Sequence, residues 1–303
     1  MGATHERSSS RWVCSVKSVA IIGPNGQLGS DLVKIFRAAD WQVTPLSHLE
    51  IQVENLDSVK KSLIQVRPDW VINTAAFHKV DECEKNPEKS WLINGLGPQN
   101  IAQVASELKS NVVFISSDYV FSGDIPIGSS YREDNLVSPI NVYGNSKAAG
   151  EAATLAASKN NIVIRISSVF GRAGSSGKGG NFVETIIKKA KNGDALNVVS
   201  DIHMSPTYTV DASKIILESL KSNFCGILHA ANSGSATWFE FAREILKQTK
   251  LDTTLSESLS DWELSPKKPR NSTLDVEKAL GILNVENMWP LALKRYLKEK
   301  GHL

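Results

Sequence analysis

From Lys17 onward, short apolar runs rich in β-branched residues alternate with segments whose apolar positions recur at helical spacing. Lys17 to Ile22 predicts a strand, and Leu28, Leu32, Ile35, Phe36 and Ala39 then fall on one face of a helix. Further strands are predicted at Gln42 to Thr44, Trp70 to Asn73, Val112 to Ser116 and Ile162 to Ser167. Pro98 to Leu108 and Tyr143 to Ala157 read as helices between them. Such alternation is the mark of βαβ units, so the expected fold is α/β, with a doubly wound parallel sheet. After Gly171 the alternation loosens, and Gly174 to Gly180 reads as a Gly/Ser-rich loop. This divides the chain into a flexible extension at 1–16, a first domain at 17–167 and a smaller C-terminal lobe at 168–303. Segments near 209–230 are expected to return to the first domain's sheet.

The composition adds exclusions. With 41% hydrophobic and 22% charged residues among 303, there is ample material for a core. A net charge of +2 without a long basic run points away from nucleic acid and from an anionic membrane surface. No segment has the length of a membrane span, and the first sixteen residues lack the apolar stretch of a signal peptide. Cys14, Cys83 and Cys225 are scattered, with no metal-ligand spacing, so no metal is expected and a reducing, cytoplasmic compartment fits best. Whether the chain forms a homodimer is left open by the sequence.

Between the first strand and the first helix stands Gly23-Pro24-Asn25-Gly26-Gln27-Leu28-Gly29. Glycines here permit a tight turn and let helix N-terminal amides face a pyrophosphate, as in Rossmann-type dinucleotide binding. The second strand runs into Thr44-Pro45-Leu46-Ser47-His48, without the carboxylate that usually takes the ribose hydroxyl of NAD. NADPH is therefore the expected cofactor, with NADH also open.

Reducing a carbonyl leaves an alkoxide that needs a proton, and tyrosine can supply it if its pKa falls. Tyr143 and Lys147 lie four apart, on one helix face. A lysine cation roughly 5 Å away would lower a tyrosine pKa by about 2 at an effective dielectric of about 20. Tyr296 and Lys300 share the spacing, but they fall where an exposed helix is expected. Tyr143 instead follows the fourth strand, which ends in Ser116-Ser117-Asp118 and offers the hydroxyl such a site needs.

The glycine loop, Asn73-Thr74-Ala75-Ala76, Ser117 and Tyr143-x-x-x-Lys147 together resemble the extended short-chain dehydrogenase/reductase pattern. Finer matches resemble the dTDP-4-dehydrorhamnose reductase family: Val80-Asp81-x-x-Glu84, Ser116 through Phe121, Ser138-Pro139-x-Asn141-Val142-Tyr143-Gly144, Asn181-Phe182, Ser205-Pro206-Thr207 and Pro269-x-Asn271-Ser272-x-Leu274. The resemblance implies a reductase of a nucleotide-linked 4-keto-6-deoxysugar, with the C-terminal lobe binding substrate. It makes Tyr143 the proton donor, Lys147 the residue holding the nicotinamide ribose, and Ser117 the hydrogen-bonding partner of the keto oxygen. Gly23, Asn25, Gly26, Gln27, Leu28, Ser47, Glu50, Ile51, Ala75 and Ala76 would contact the cofactor. Val80, Tyr119 and Ser168 would join Ser117 and Tyr143 around the sugar.

Three departures fall in the substrate-reading part. Arg165-Ile166-Ser167-Ser168 stands where the family commonly has Arg-Thr-Ser-Trp, Asp201-Ile202-His203-Met204 replaces Asp-Gln-x-Gly, and Lys268 replaces an arginine. The first removes a flat aromatic contact and the last a bidentate phosphate grip. Alternative readings are another sugar-nucleotide reductase or epimerase, or a non-catalytic subunit resembling the beta subunit of methionine adenosyltransferase. A dehydratase would place glutamate after the Ser-Asp pair, where this chain has Tyr119. His78 and His203 read as polar fillers, Trp238, Phe239 and Phe241 as core, and Asp81, Glu82 and Glu84 as a solvated helix start.

Overall fold

The computed structural model describes residues 17–173, 180–261, 266–283 and 287–303. The extension at 1–16, Cys14 within it, and most of the Gly/Ser-rich loop lie outside the described residues. Five strands succeed one another as expected: β1 (Ser18–Ile22), β2 (Gln42–Leu46), β3 (Trp70–Asn73), β4 (Asn111–Ser117) and β5 (Ile162–Ile166). A sixth strand, Gly226–His229, pairs with β5. The order across the sheet is Gly226–His229, β5, β4, β3, β1, β2, and every pairing is parallel.

The central strands β1, β3, β4 and β5 are buried on both faces, which is why they are largely apolar, whereas the edge strand β2 is mostly exposed or half-buried. Alternate residues of β1 face opposite ways. Val19 and Ile21 pack with Leu32 and Phe36 of the helix Gln27–Ala38 and with Ile215, Ile216 and Leu220 of the helix Thr209–Lys221. Ala20 and Ile22 pack with Val59 and Leu63 of the helix Leu56–Val66 and with Ile101 and Val104 of the helix Gly97–Glu107. A separate apolar cluster gathers Phe170, Ile186, Phe241, Ile245, Leu293 and Tyr296 from the helices Phe182–Lys191, Trp238–Thr249 and Trp289–Glu299. Tyr296 is thus fully buried, against the expectation of an exposed C-terminal helix. Its ring fills this second core, while its hydroxyl donates to Glu184 and accepts from Asn181. Among the described residues, no helix is long and apolar enough to cross a membrane.

The helix Val142–Ala157 crosses beneath β4 and β5, held by a buried ion pair. Arg165 on β5 donates to both carboxylate oxygens of Glu151, at 2.9 and 2.8 Å. Two charges out of water are tolerable only as a pair. Glu151→Ala strands the guanidinium and is expected to lower stability by about 3–5 kcal/mol, measured by urea unfolding. Replacing both residues by methionine should cost far less; an equal loss would show that the pair itself supplies the stability.

Candidate active site

Between β1 and β3 the chain's crossovers reverse direction, and a crevice opens outside the carboxyl ends of these strands. Its floor is the glycine loop. Gly26 N–H donates to the Gly23 carbonyl, and the first helix starts at Gln27 with no side chain capping it. A β-carbon at Gly29 would lie 2.1 Å from the Gly23 carbonyl oxygen, so only glycine lets the turn close this tightly. First-turn amides therefore face the crevice, as an anion-binding helix N-terminus requires.

The cleft has a volume of about 470 Å³. Gly23, Asn25, Gly26, Gln27, Leu28, Ser47, Ile51, Ala75, Ala76, Tyr143 and Lys147 all line it. Ser116 lines it too, and its hydroxyl is buried without a protein partner. These residues fit a dinucleotide: an uncapped helix start, a glycine cradle, and a buried hydroxyl left for a ligand. Four expected contacts line neither this cleft nor the one beside it: Ser117, buried and hydrogen-bonded to Asp118, and Glu50, Val80 and Ser168. Glu50 turns its carboxylate back onto Ser47, accepting from its N–H at 2.7 Å and from its hydroxyl. These bonds hold the Glu50 pKa below the usual carboxylate range. Val80 opens the short helix Val80–Lys85, and Ser168 sits in a left-handed turn with φ 42°. Neither lines this cleft or the one beside it.

A second cleft, of about 590 Å³, adjoins Tyr119. Phe182, Lys189, Ile202, Trp238, Lys267 and Lys268 line it with Asp81. Tyr143 of the first cleft and Tyr119 of the second touch edge to face, with ring centres 5.7 Å apart. Tyr143 is placed by its helix start. Asn141 caps that start, accepting from Gly144 N–H at 2.8 Å. A β-carbon on Gly144 would fall 2.1 Å from the Tyr119 carbonyl oxygen, so glycine brings helix and loop together.

Electrostatics at the junction run against one expectation. Burial raises the Tyr143 pKa above the usual tyrosine range; the Ser117 hydrogen bond opposes this and the nearby Asp118 charge adds to it. Lys147, 1% exposed, donates to the Ile115 carbonyl at 2.5 Å and lies 4.1 Å from the Phe114 ring centre. Burial brings its own pKa down to about 7. The lowering of Tyr143 expected from a lysine cation does not show here: burial dominates the Tyr143 pKa and lowers that of Lys147 as well.

A family model described as RmlD substrate binding domain matches residues 17–301. The chain belongs to the RmlD substrate binding domain family. Within and around that family, it is 37% identical to a spore coat polysaccharide biosynthesis protein of Bacillus subtilis, over 93% of this chain and 98% of the relative. It is 31% identical to a dTDP-4-dehydrorhamnose reductase of Aggregatibacter actinomycetemcomitans, over 90% and 96% of the two chains. The crystal structure of a dTDP-4-dehydrorhamnose reductase from Bacillus anthracis, solved with NADP, superposes with a TM-score of 0.86 at 30% identity, covering 94% of this chain and 99% of that one.

Several site residues of this RmlD-family chain escaped the sequence reading. Glu54 and His48 line the first cleft; His48 closes the stretch searched for an acidic residue and was given no role, and Glu54 lies six residues beyond it. Asn141 could have been found as an Asn preceding a helix pattern. Trp238, read as core, packs on Phe182 with ring centres 4.7 Å apart and also faces the second cleft. His78 lines the first cleft, and His203 sits in a two-residue strand hydrogen-bonded to Arg270.

Because the folded Lys147 pKa lies far below the unfolded value, the unfolded chain binds the extra proton as pH drops. Stability should therefore fall from about pH 10.5 down to about 7, and level off below. Urea unfolding of wild type and Lys147→Met at pH 7 and pH 9.5 checks this. The wild type should gain relative to the variant at the higher pH; a constant difference would refute the buried, discharged lysine.

Proposed function

We propose that this chain is an NADPH-dependent reductase of a nucleotide-linked 4-keto-6-deoxysugar, with dTDP-4-dehydrorhamnose as the substrate. The observation that carries this reading is the contact between Tyr143 of one cleft and Tyr119 of the other: a dinucleotide-shaped crevice on one side and a lysine- and aromatic-lined cleft on the other. Gly23, Asn25, Gly26, Gln27, Leu28, Ser47, Ile51, Ala75 and Ala76 bind the dinucleotide, which supplies hydride when bound. Lys189, Lys267 and Lys268 suit the diphosphate of a nucleotide sugar, while Trp238 and Phe182 offer the flat surface that Ser168 does not. An apolar cluster separate from the two on the sheet's faces supports a division into a dinucleotide-binding domain at 17–167 and a mainly substrate-binding lobe at 168–303, with segments near 209–230 returning to the sheet. Free thiols at Cys83 and Cys225 suit the reducing cytoplasm.

In this reading Tyr143 gives its phenolic proton to the oxygen of the reduced carbon. Burial and the Asp118 charge keep that proton on the phenol until an alkoxide, a far stronger base, is formed. Lys147, lining the same cleft, is placed to stabilise, in its ammonium form, the phenolate left behind until a proton from solvent restores the phenol. The test is loss of NADPH absorbance with dTDP-4-dehydrorhamnose, run beside NADH. Tyr143→Phe should cut turnover by about 10²- to 10⁴-fold while leaving NADPH affinity intact. NADPH should be preferred, since no carboxylate ends β2. Loss of NADPH binding in the variant would misplace the site, and absence of wild-type turnover would sink the substrate assignment.

A further inference from the structure

The most heavily bonded acid at the junction is one that the proton transfer does not use. Asp118 follows β4 and is 3% exposed. Its Oδ1 accepts from the Ser117 hydroxyl at 2.9 Å, and its Oδ2 from Ser167 at 2.8 Å and Ser272 at 2.6 Å. Three hydroxyls, one from the preceding residue and two from distant segments, thus converge on one carboxylate. A carboxylate only accepts, so each serine spends its single hydroxyl hydrogen there. Ser117 is left with its lone pairs. One takes the Tyr119 N–H at 3.2 Å, and the phenol of Tyr143 is the other hydrogen-bonding neighbour.

Ser272 brings in the far end of the chain. Lys267 and Lys268, a few residues earlier, line the second cleft. The Lys267 carbonyl accepts from the Asn141 side chain at 2.9 Å, and Asn141 caps the helix that carries Tyr143. Asn271 fastens the middle of the segment, donating to the carbonyls of Pro126 and Ser129. One short stretch therefore carries two lysines of the second cleft and is bonded at its two ends to the elements that hold Tyr143 and Ser117.

We propose that Asp118 is a positioning residue, which fixes the Ser117 side chain beside Tyr143 and ties it through Ser272 to the lysine-bearing segment 266–273. This rests on the reductase reading above. An anion held by Lys267 and Lys268 then pulls on the same segment that sets Ser117. Binding of the nucleotide end of the substrate is in this way coupled to alignment at its sugar end, 

through side-chain bonds and without a moving lid.

The test uses the full chain with NADPH and dTDP-4-dehydrorhamnose. Ser272→Ala should lower kcat about tenfold, the worth of a hydrogen bond to a charged group, with KM nearly unchanged. Ser272→Thr keeps the hydroxyl and should restore kcat. In a Ser117→Ala background, Ser272→Ala should cost nothing further, because both act through one hydroxyl. Amide exchange at Tyr119, whose N–H donates to Ser117, should quicken in Ser272→Ala and return to normal in Ser272→Thr. That readout needs no turnover, so it judges the tie even if the substrate reading fails. Ser167→Ala, which removes the other Oδ2 partner, carries the same expectations should Ser272→Ala fail to fold. Losses in kcat that multiply in the double variant, or a Tyr119 amide unmoved by both serine variants, would overturn the proposal.

Discussion

A parallel sheet whose connections leave β1 in one direction and reach β3 from the other must open a crevice beside the ends of those strands. The rest of the molecule depends on that constraint. It places the glycine turn after β1, Thr74 to Ala76 after β3 and Ser116 of β4 around one space, because each follows or ends a strand. The sheet can hold this geometry only because both of its faces are covered by helices. The second core stands apart from both and brings Phe182 and Trp238 to the neighbouring cleft.

Burial of charge is the second theme. Lys147, Asp118, Glu151 and Arg165 are nearly inaccessible, and each is handled differently. Arg165 and Glu151 neutralise each other. Lys147 gives up part of its charge and keeps a carbonyl partner. Asp118 has its pKa raised by burial and held back by three hydroxyls. A low-dielectric surrounding magnifies the influence of such groups on a neighbouring phenol, which is how an ordinary tyrosine is kept protonated.

The sheet was legible because a parallel strand buried on both faces reads as a short continuous apolar run, and the first helix because its apolar positions recur at helical spacing. The glycine turn and the Tyr143–Lys147 spacing were legible because backbone sterics and helix geometry act locally. What the sequence hid was long-range. Nothing near Ser272 announces that it meets Asp118, 154 positions earlier. Glu50 was expected at the cofactor, yet a short loop lets its carboxylate find Ser47 first. Tyr296 looked exposed because its neighbours Arg295, Lys298 and Lys300 are charged, whereas its own position faces the second core. The burial of Tyr143 and Lys147 was missed for a similar reason: spacing gives distance along a helix and says nothing of desolvation.

The most direct measurement is isotope transfer in a single turnover: NADPH deuterated at the reactive nicotinamide carbon, supplied with dTDP-4-dehydrorhamnose, and the product read by mass spectrometry and NMR. One deuterium on carbon 4 of the sugar is expected from the contact of the two clefts' tyrosines, Tyr143 and Tyr119. Binding of both ligands with no deuterium in the sugar would contradict it, and would leave the junction as a binding surface without chemistry.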